Sequence, residues 1–422
     1  MTQALPAAVT GVFGPLAPRD YDRPRTIHLR FVERTGDRRY LVEAWGSAFP
    51  EDGGGTYQGW LGRDALGVIS LREFLRWEWE KHILQYEPGS EGTRFPFSDL
   101  CNLSHKPHLL ERKAFELVHI GATTFRSLFD GNDEGLRQIR TLLENALRSG
   151  TQVITFESEK LCMPWGMLYT SPYADHPIPS ESRWSYEGFL GYQHIIEHTF
   201  GRMTDFDPRI LIPDTGLAVG INVDHRIDDE FPDTPYIGPT IAFFRDKSKV
   251  VVRTTKREVE EAFRNKDFTD NITYFGCHAR VTGQNGLFML SYVELDEDER
   301  IHGQEISDWL KEPGLATRPL IYIGACQGGL VDSTFYSSFG GAMLDKNGGR
   351  CLVGPQLNLP PVFAAEYSRQ LFTEFLRPET KLGDLMQNLA QKFIDVHKNP
   401  LGLMFALYRG IDVHLWPEGN DQ

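Results

Sequence analysis

The sequence predicts an α/β protein with a mostly parallel β-sheet flanked by helices. From about residue 217 onward, short apolar segments alternate with amphipathic ones, which is the pattern of parallel strands joined by helical crossovers. Two of the apolar segments end in residues that can do chemistry: residues 272–278 end in His278, and residues 318–326 end in Cys326. In an open α/β sheet, reactive groups and ligands lie at the carboxyl ends of the strands. We therefore expect these two strand ends to form the functional site.

The composition indicates a globular protein of two or three domains. The chain has 422 residues, of which 41% are hydrophobic, 12% aromatic and 24% charged. Its net charge of −14 argues against a broad nucleic-acid surface, because such surfaces depend on clustered Lys and Arg. A local basic patch is not excluded by this balance. We expect no direct binding of nucleic acid.

The cysteines indicate neither a disulfide framework nor a zinc ribbon. The five are widely spaced and include no CxxC pair: Cys101, Cys162, Cys277, Cys326 and Cys351. Residues 1–18 lack the pattern of a signal peptide, and no apolar run reaches the ~18 residues of a membrane span. These observations predict a cytoplasmic protein with reduced thiols, no cofactor or metal, and no membrane contact.

The first half of the chain is predicted to be a flexible leader, residues 1–24, followed by an α/β lobe, residues 25–205. The leader is rich in Pro, Ala and Gly. The predicted elements of the lobe are a hairpin at residues 26–32 and 39–45, a helix after the cap Ser70, helices within 110–147, and a strand at 152–156.

The second half, residues 206–422, is predicted to be a separate domain with a regular strand–helix alternation. The predicted strands are residues 217–224, 250–253, 272–278, 318–326 and 350–354. The predicted helices are residues 240–244, 256–265, 306–310, 339–344, 363–376 and 382–397. Thr255 and Glu258 form the capping-box pattern at the start of the second of these helices. The acidic run 294–299 predicts a solvated loop, and the alternative is a segment for processing or docking.

Cys326 and His278 have the spacing of a nucleophile and its base. A cysteine attacks as a thiolate, and a nearby imidazole lowers its pKa and passes the proton to a leaving amine. The caspase signature is Gln-Ala-Cys-[Arg/Gln/Gly]-Gly, with a histidine about 50 residues upstream. Residues 325–328 match it, Gly324 replaces the Gln, and His278 lies at the expected distance. The alternative is that Cys326 is a small buried hydrophobe.

Four ordered segments carry a resemblance to a known family. They are Leu161-Cys-Met-Pro-Trp-Gly-Met-Leu-Tyr169, Tyr274-Phe-Gly-Cys-His-Ala279, Leu320-Ile-Tyr-Ile-Gly-Ala-Cys-Gln-Gly-Gly329 and Asn399-Pro-Leu-Gly-Leu-Met-Phe-Ala-Leu-Tyr-Arg-Gly410. With these, the last ~300 residues resemble the CHAT domain, a peptidase module related to caspases and separases. The sequence departs from the family at Ala279, where Gly is usual after the histidine, and at Gly166, where Glu is usual.

The resemblance implies a caspase-like fold, with a non-catalytic caspase-like lobe ahead of the active domain. It implies that Cys326 is the nucleophile, that His278 is the base and then the acid, and that the N–H groups of Cys326 and Ala279 bind the oxyanion. It further implies a bacterial defence or CRISPR-linked role, with a partner protein encoded nearby as substrate. Activation by a sensor protein, another protease or a trigger is also implied.

Two residues near the pair give opposite expectations for the substrate. Asp224 corresponds in position to an acidic specificity residue of relatives that cleave after Lys or Arg, although an ordinary aspartate in a strand-to-loop turn is the commoner explanation. Arg280, two residues after His278, favours acidic substrates instead. The sequence leaves this choice open.

Two alternatives to the peptidase remain. One is an inactive CHAT scaffold that binds partners without turnover. The other is a zinc hydrolase, because residues 194–198 match His-x-x-Glu-His, which on a helix places His194 and His198 on one face. The flanking glycines and the absence of an evident third ligand argue against zinc. No phosphate-binding glycine loop or Gly-x-Ser-x-Gly nucleophile elbow is present.

Overall fold

The computed structural model describes residues 24–50, 55–89, 93–170, 184–201, 207–283, 289–324 and 335–418. Residues 1–23 of the predicted leader, the proposed boundary at residue 205 and Cys326 with its following glycines lie outside these residues.

A single mixed sheet runs through the described part of the molecule. Its strand order is β3-β2-β1-β4-β5-β15-β14-β13-β9-β7-β8. Its strands are β1 (Ile27–Glu33), β2 (Arg39–Trp45), β3 (Thr56–Asp64), β4 (Val153–Glu157), β5 (Ile195–Thr199), β7 (Ala218–Val223), β8 (Lys249–Arg253), β9 (Ile272–Gly276), β13 (Leu320–Ile323), β14 (Cys351–Pro355) and β15 (Phe405–Tyr408). All neighbours pair in parallel except β1–β2, β2–β3 and β14–β15. The predicted α/β fold with a mostly parallel sheet is confirmed.

Two smaller sheets lie beside the main one. The first has the order β10-β11-β12, with β10 (His278–Gly283), β11 (Met289–Glu294) and β12 (Arg300–His302). The second pairs β16 (His414–Pro417) with β6 (Arg209–Ile212). The first of these sheets begins at the candidate histidine.

Helices cover both faces of the main sheet. They are α1 (Ala65–Trp79), α2 (Pro96–Asp99), α3 (Pro107–Leu128), α4 (Glu134–Arg148), α5 (Leu190–Gln193), α6 (Arg226–Glu230), α7 (Ile237–Arg245), α8 (Lys256–Phe263), α9 (Gly303–Trp309), α10 (Gly341–Met343), α11 (Pro361–Phe375) and α12 (Leu382–Asp395). A short π-helical segment, Tyr336–Gly340, leads directly into α10.

Most predicted elements are confirmed, with shifted boundaries. The hairpin β1–β2 and the capping box of Thr255 and Glu258 at α8 are present. The first helix, α1, starts earlier than predicted because Asp64, whose carboxylate accepts the N–H of Gly67, is its cap. Ser70 lies inside that helix and donates its hydroxyl to the carbonyl of Leu66.

Alternating side chains of the central strands belong to two hydrophobic clusters on opposite faces of the sheet. In β13, Leu320 and Tyr322 belong to the larger cluster, whereas Ile321 and Ile323 belong to the second. The larger cluster includes residues of α7, α11 and α12, and the second includes residues of α8 and α9. Strands buried on both faces by helices are what the continuous apolar segments of the sequence predict.

The main sheet crosses the predicted domain division without a break. Strand β5 of the first half pairs in parallel with β15 of the second, with His198 opposite Tyr408. The division into a non-catalytic and a catalytic lobe stays a prediction. None of the helices in the described ranges is both long and apolar enough to cross a bilayer.

Candidate functional site

The carboxyl ends of β7, β9 and β13 are aligned at one edge of the sheet. Tyr274 of β9 lies opposite Tyr322 of β13. The N–H of Gly324 donates to the carbonyl of Phe275 at 2.8 Å, and the N–H of Asp224 donates to the carbonyl of Gly276 at 3.0 Å. Strands β9 and β13 therefore end side by side. In the sequence, residue 278 follows β9 and residue 326 follows β13.

The sequence predicted that His278 is the last residue of a core strand. The structure shows that this prediction is wrong. Strand β9 ends at Gly276, and His278 is the first residue of β10, which pairs in antiparallel register with β11. The buried Cys277 lies between the two strands. The long apolar segment thus contains two strands of different sheets, because residues after Gly276 find their backbone partners in β11 instead of β13.

The imidazole of His278 is buried but not fully hydrogen-bonded. The residue is 3% exposed, and its Nδ1 has no hydrogen-bond partner among the described residues. Its Nε2 lies 3.6 Å from Oε2 of Glu230, whose side chain is 53% exposed, at the end of α6. A buried histidine nitrogen without a partner is uncommon.

Helix α6, which carries Glu230, is held by the start of α7. The carboxylate of Asp228 accepts backbone N–H groups from Tyr236 at 2.6 Å, Ile237 at 2.7 Å and Gly238 at 2.8 Å. This cap fixes α6 over the strand ends and also fixes Tyr236.

Two tyrosines explain the glycine that replaces the glutamine of the caspase signature. The hydroxyl of Tyr236 donates to the carbonyl of Gly324 at 3.1 Å and contacts the hydroxyl of Tyr274. A Cβ at position 324 would lie 1.9 Å from the Tyr236 hydroxyl. Only glycine fits against this pair, two residues before Cys326. Cys326 itself lies outside the described residues, so its distance from His278 is not part of this geometry.

The carboxylate of Asp224 is buried and is hydrogen-bonded to Arg226. The residue is fully buried, and the Nε and Nη2 atoms of Arg226 donate to its two oxygens at 2.9 and 2.8 Å. Burial by itself raises the pKa of Asp224, but the hydrogen bonds and charge of Arg226 outweigh burial and hold that pKa below its usual range. This carboxylate is satisfied within the chain.

Arg280 lies on the same face of β10 as His278, because alternate residues of a strand share a face. Its Nε is 3.8 Å from Oε2 of Glu294, and its side chain is 39% exposed. Arg226 and Arg300 also approach Glu294, at 3.9 and 3.5 Å. The Arg280 side chain is therefore partly exposed, and it is one of three arginines that approach the buried carboxylate of Glu294.

The acidic run 294–299 is only partly the solvated loop that the sequence predicted. Glu294 is buried in β11, and Asp296–Asp298 form a 3₁₀ turn. Asp296 accepts the N–H of His225 at 2.7 Å, and Asp298 accepts Nη1 of Arg226 at 2.6 Å. The run is fixed beside the end of β7 because basic groups and backbone N–H groups compensate its charge.

The geometry required by the zinc hypothesis is absent. Residues 195–199 form the strand β5 instead of a helix, so Glu197 and His198 point to opposite faces. Glu197 is bound by Nε of Arg25 at 3.0 Å and by the N–H of Gly410 at 2.8 Å, and His194 accepts the N–H of Gln152 at 3.1 Å. Across the part of the chain that the structure describes, no group of three or more His, Cys, Asp or Glu side chains is arranged to hold a metal.

The described residues contain a Cys–His pair that sequence reasoning missed. Sγ of Cys162 lies 3.6 Å from Nε2 of His198. That Nε2 is 3.0 Å from the carbonyl of Ser158, to which it donates, and Nδ1 accepts the indole N–H of Trp165 at 3.5 Å. Burial lowers the pKa of His198 to about 4. Both nitrogens are occupied and the ring is neutral, so the pair is structural.

Comparisons with known proteins give only distant similarity. No protein-family model matches the chain, and no curated protein matches its sequence. Similar solved structures include two crystal structures of the Saccharomyces cerevisiae separase–securin complex, at 3.0 and 2.6 angstrom resolution. The first is 10% identical with a TM-score of 0.43 over 92% of this chain, and the second is 9% identical with a TM-score of 0.43 over 93%. This chain spans 30% of the length of each matched chain.

Proposed function

We propose that the protein is a cysteine endopeptidase with Cys326 as nucleophile and His278 as general base. The observation that carries this proposal is the pairing of β9 with β13, after which the chain reaches His278 and Cys326 from neighbouring strand ends. The unpartnered Nδ1 of the buried His278 supports the same role. The caspase-like signature around Cys326 and the resemblance to CHAT peptidases add to this support.

The reaction proceeds through an acyl-enzyme. His278 takes the thiol proton of Cys326, and the thiolate attacks the carbonyl carbon of the scissile peptide bond. The backbone N–H groups of Cys326 and Ala279 stabilise the oxyanion. The C–N bond then breaks, His278 gives its proton to the leaving amine, and water, deprotonated by His278, hydrolyses the thioester to release the acid.

The biological setting follows from the resemblance alone. We propose a cytoplasmic bacterial protein that cuts a partner protein encoded nearby, in a defence or CRISPR-linked system. Residues 25–205 are proposed to be a non-catalytic lobe, and a sensor protein, an activating protease or another trigger is proposed to start the cleavage.

The test is a cleavage assay with neighbouring gene products as candidate substrates. Wild type and Cys326→Ala are each incubated with these proteins, and products are identified by mass spectrometry. We expect cleavage by wild type that iodoacetamide abolishes and a chelator leaves unchanged. Loss with a chelator and none with alkylation contradicts the dyad. Binding without cleavage by either form supports an inactive scaffold.

A further inference from the structure

A separate cavity lies between the first hairpin, helix α1 and the π-helical segment. It has a volume of about 200 Å³. Arg38 of the hairpin connection, Arg72 of α1, Lys160 and Ser337 line it, together with one carboxylate, Glu33. Three cations and one anion therefore face a space of this size, which leaves two positive charges uncompensated by the lining itself.

The cations of the cavity are only partly satisfied. Nζ of Lys160 lies 2.9 Å from Glu33, but Nε of Arg38 is 3.6 Å from the same carboxylate. Arg72 is 7% exposed and uses Nε and Nη2 on one oxygen of Glu73, at 3.0 and 2.9 Å. Lys160 and Arg38 have exposed side chains and form the rim, whereas Arg72 forms the interior.

Arg76 is a second observation beside the cavity. It lies one turn beyond the lining residue Arg72 on α1 and is 3% exposed, yet none of its three guanidinium nitrogens has a hydrogen-bond partner among the described residues. Its nearest carboxylate, Glu73, is 3.6 Å away. Arg76 itself does not line the cavity. A buried guanidinium without partners is destabilising unless an anion or water satisfies it.

We propose that this cavity binds a small phosphate-bearing anion. Arginine presents forked N–H donors that match phosphate oxygens, and lysine adds a point charge at the rim. Glu33 and, outside the lining, Glu73 offset two of the three positive charges, so one remains to attract a phosphate group, which carries close to two negative charges at neutral pH. The proposal does not depend on the peptidase function and is compatible with the acidic net charge, because the basic groups are local.

The test uses pyrophosphate and inorganic phosphate as probes on the full chain, at low ionic strength with EDTA present. We expect saturable binding by calorimetry and a rise in melting temperature of about 2–4 °C at saturating pyrophosphate. The double variant Arg38→Met/Lys160→Met is expected to bind at least about tenfold more weakly, because it removes two phosphate contacts. Arg72→Met tests whether the cavity interior contributes to pyrophosphate binding. If Arg72→Met fails to fold, the rim variant still tests the proposal.

Arg34→Met is the matched control. Arg34 lies on the same hairpin and is 63% exposed, with a distant ion pair to Asp37 at 4.0 Å, but it does not line the cavity. It is expected to bind pyrophosphate as wild type does. Absence of saturable binding up to about 10 mM, an equal temperature shift with sodium chloride of the same ionic strength, or equal weakening by Arg34→Met and the rim variant overturns the proposal.

Discussion

His278 follows strand β9, and His198 lies in strand β5 of the same main sheet. The two imidazole rings differ in their hydrogen bonding. Both nitrogens of His198 are engaged, by the carbonyl of Ser158 and the indole of Trp165, and burial lowers its pKa to about 4. Nδ1 of the equally buried His278 has no hydrogen-bond partner among the described residues, and its Nε2 faces the exposed Glu230. The two buried imidazoles therefore differ in hydrogen bonding, and only that of His278 keeps a nitrogen without a described partner.

The largest expected difference between the two pairs is in activity. Cys326→Ala and His278→Ala are each expected to reduce cleavage at least about a thousandfold, because each removes a member of the reacting pair. Cys162→Ala is expected to keep cleavage within about threefold, because its histidine has no nitrogen left for the thiol proton. Initial rates on an identified substrate measure both, and equal losses at the two cysteines contradict the assignment.

The next expected difference is in stability. Trp165→Phe leaves Nδ1 of the buried His198 without its donor, so the free energy of unfolding is expected to fall by about 1–3 kcal/mol. Glu230→Gln, beside His278, is expected to change it by less than about 0.5 kcal/mol, because the Glu230 side chain is half exposed. Urea unfolding followed by fluorescence and circular dichroism measures both. A larger loss from Glu230→Gln than from Trp165→Phe reverses the comparison.

Gly324→Ala tests the packing beneath the candidate nucleophile. Its Cβ would lie 1.9 Å from the Tyr236 hydroxyl, so the strand end or the tyrosine must move, at a cost of about 1–3 kcal/mol. Tyr236→Phe removes the clashing oxygen, and the double variant is expected to recover part of the loss. The unfolding free energies of the two single variants and the double variant form the cycle. Additive losses show that the two groups do not meet.

The smallest expected effect is the pH dependence that Asp224 contributes. The pKa of Asp224 in the folded protein lies below its usual value, so its stabilisation is fully present above the unfolded pKa of about 3.9 and is lost as pH falls through the folded pKa. Asp224→Asn is therefore expected to cost about 1–2 kcal/mol at pH 7, and this cost is expected to shrink as pH falls below about 3.9.

Asp229→Asn is the control for the Asp224 prediction. Asp229 is an exposed carboxylate of helix α6, which begins two residues after Asp224, and its replacement is expected to leave the curve of stability against pH unchanged. Unfolding free energies of both variants between about pH 2.5 and 7 test this. A difference between wild type and Asp224→Asn that grows as pH falls contradicts the sign.

The sequence predicts the fold class well because its strongest signals are local. Short apolar segments and the capping box of Thr255 and Glu258 require no knowledge of distant contacts. The zinc motif at residues 194–198 and the strand at residues 272–278 fail for a non-local reason. Their structure is decided by partners far along the chain, such as β15 for His198 and β11 for His278.

The candidate site was predictable in part for the same reason. The caspase-like spacing predicts His278 and Cys326 as the pair, and this stays a prediction. The spacing carries no information on Arg226, which binds the carboxylate of Asp224, or on Tyr236, which packs against Gly324. The structural role of Cys162 also depends on Trp165 and Ser158 around His198, which only the fold brings together. Two of these residues, Cys162 and Trp165, lie in the segment 161–169, but the sequence of that segment does not indicate that both contact His198.

The most direct test of the central claim is the rate at which iodoacetamide alkylates each cysteine at pH 7, located by peptide mass spectrometry. We predict that Cys326 reacts much faster than Cys162 in the native protein. We further predict that His278→Gln slows Cys326 by at least about tenfold, since the thiolate loses its base. Alkylation of Cys326 no faster than that of Cys162, or a rate for Cys326 that His278→Gln leaves unchanged, would contradict the claim.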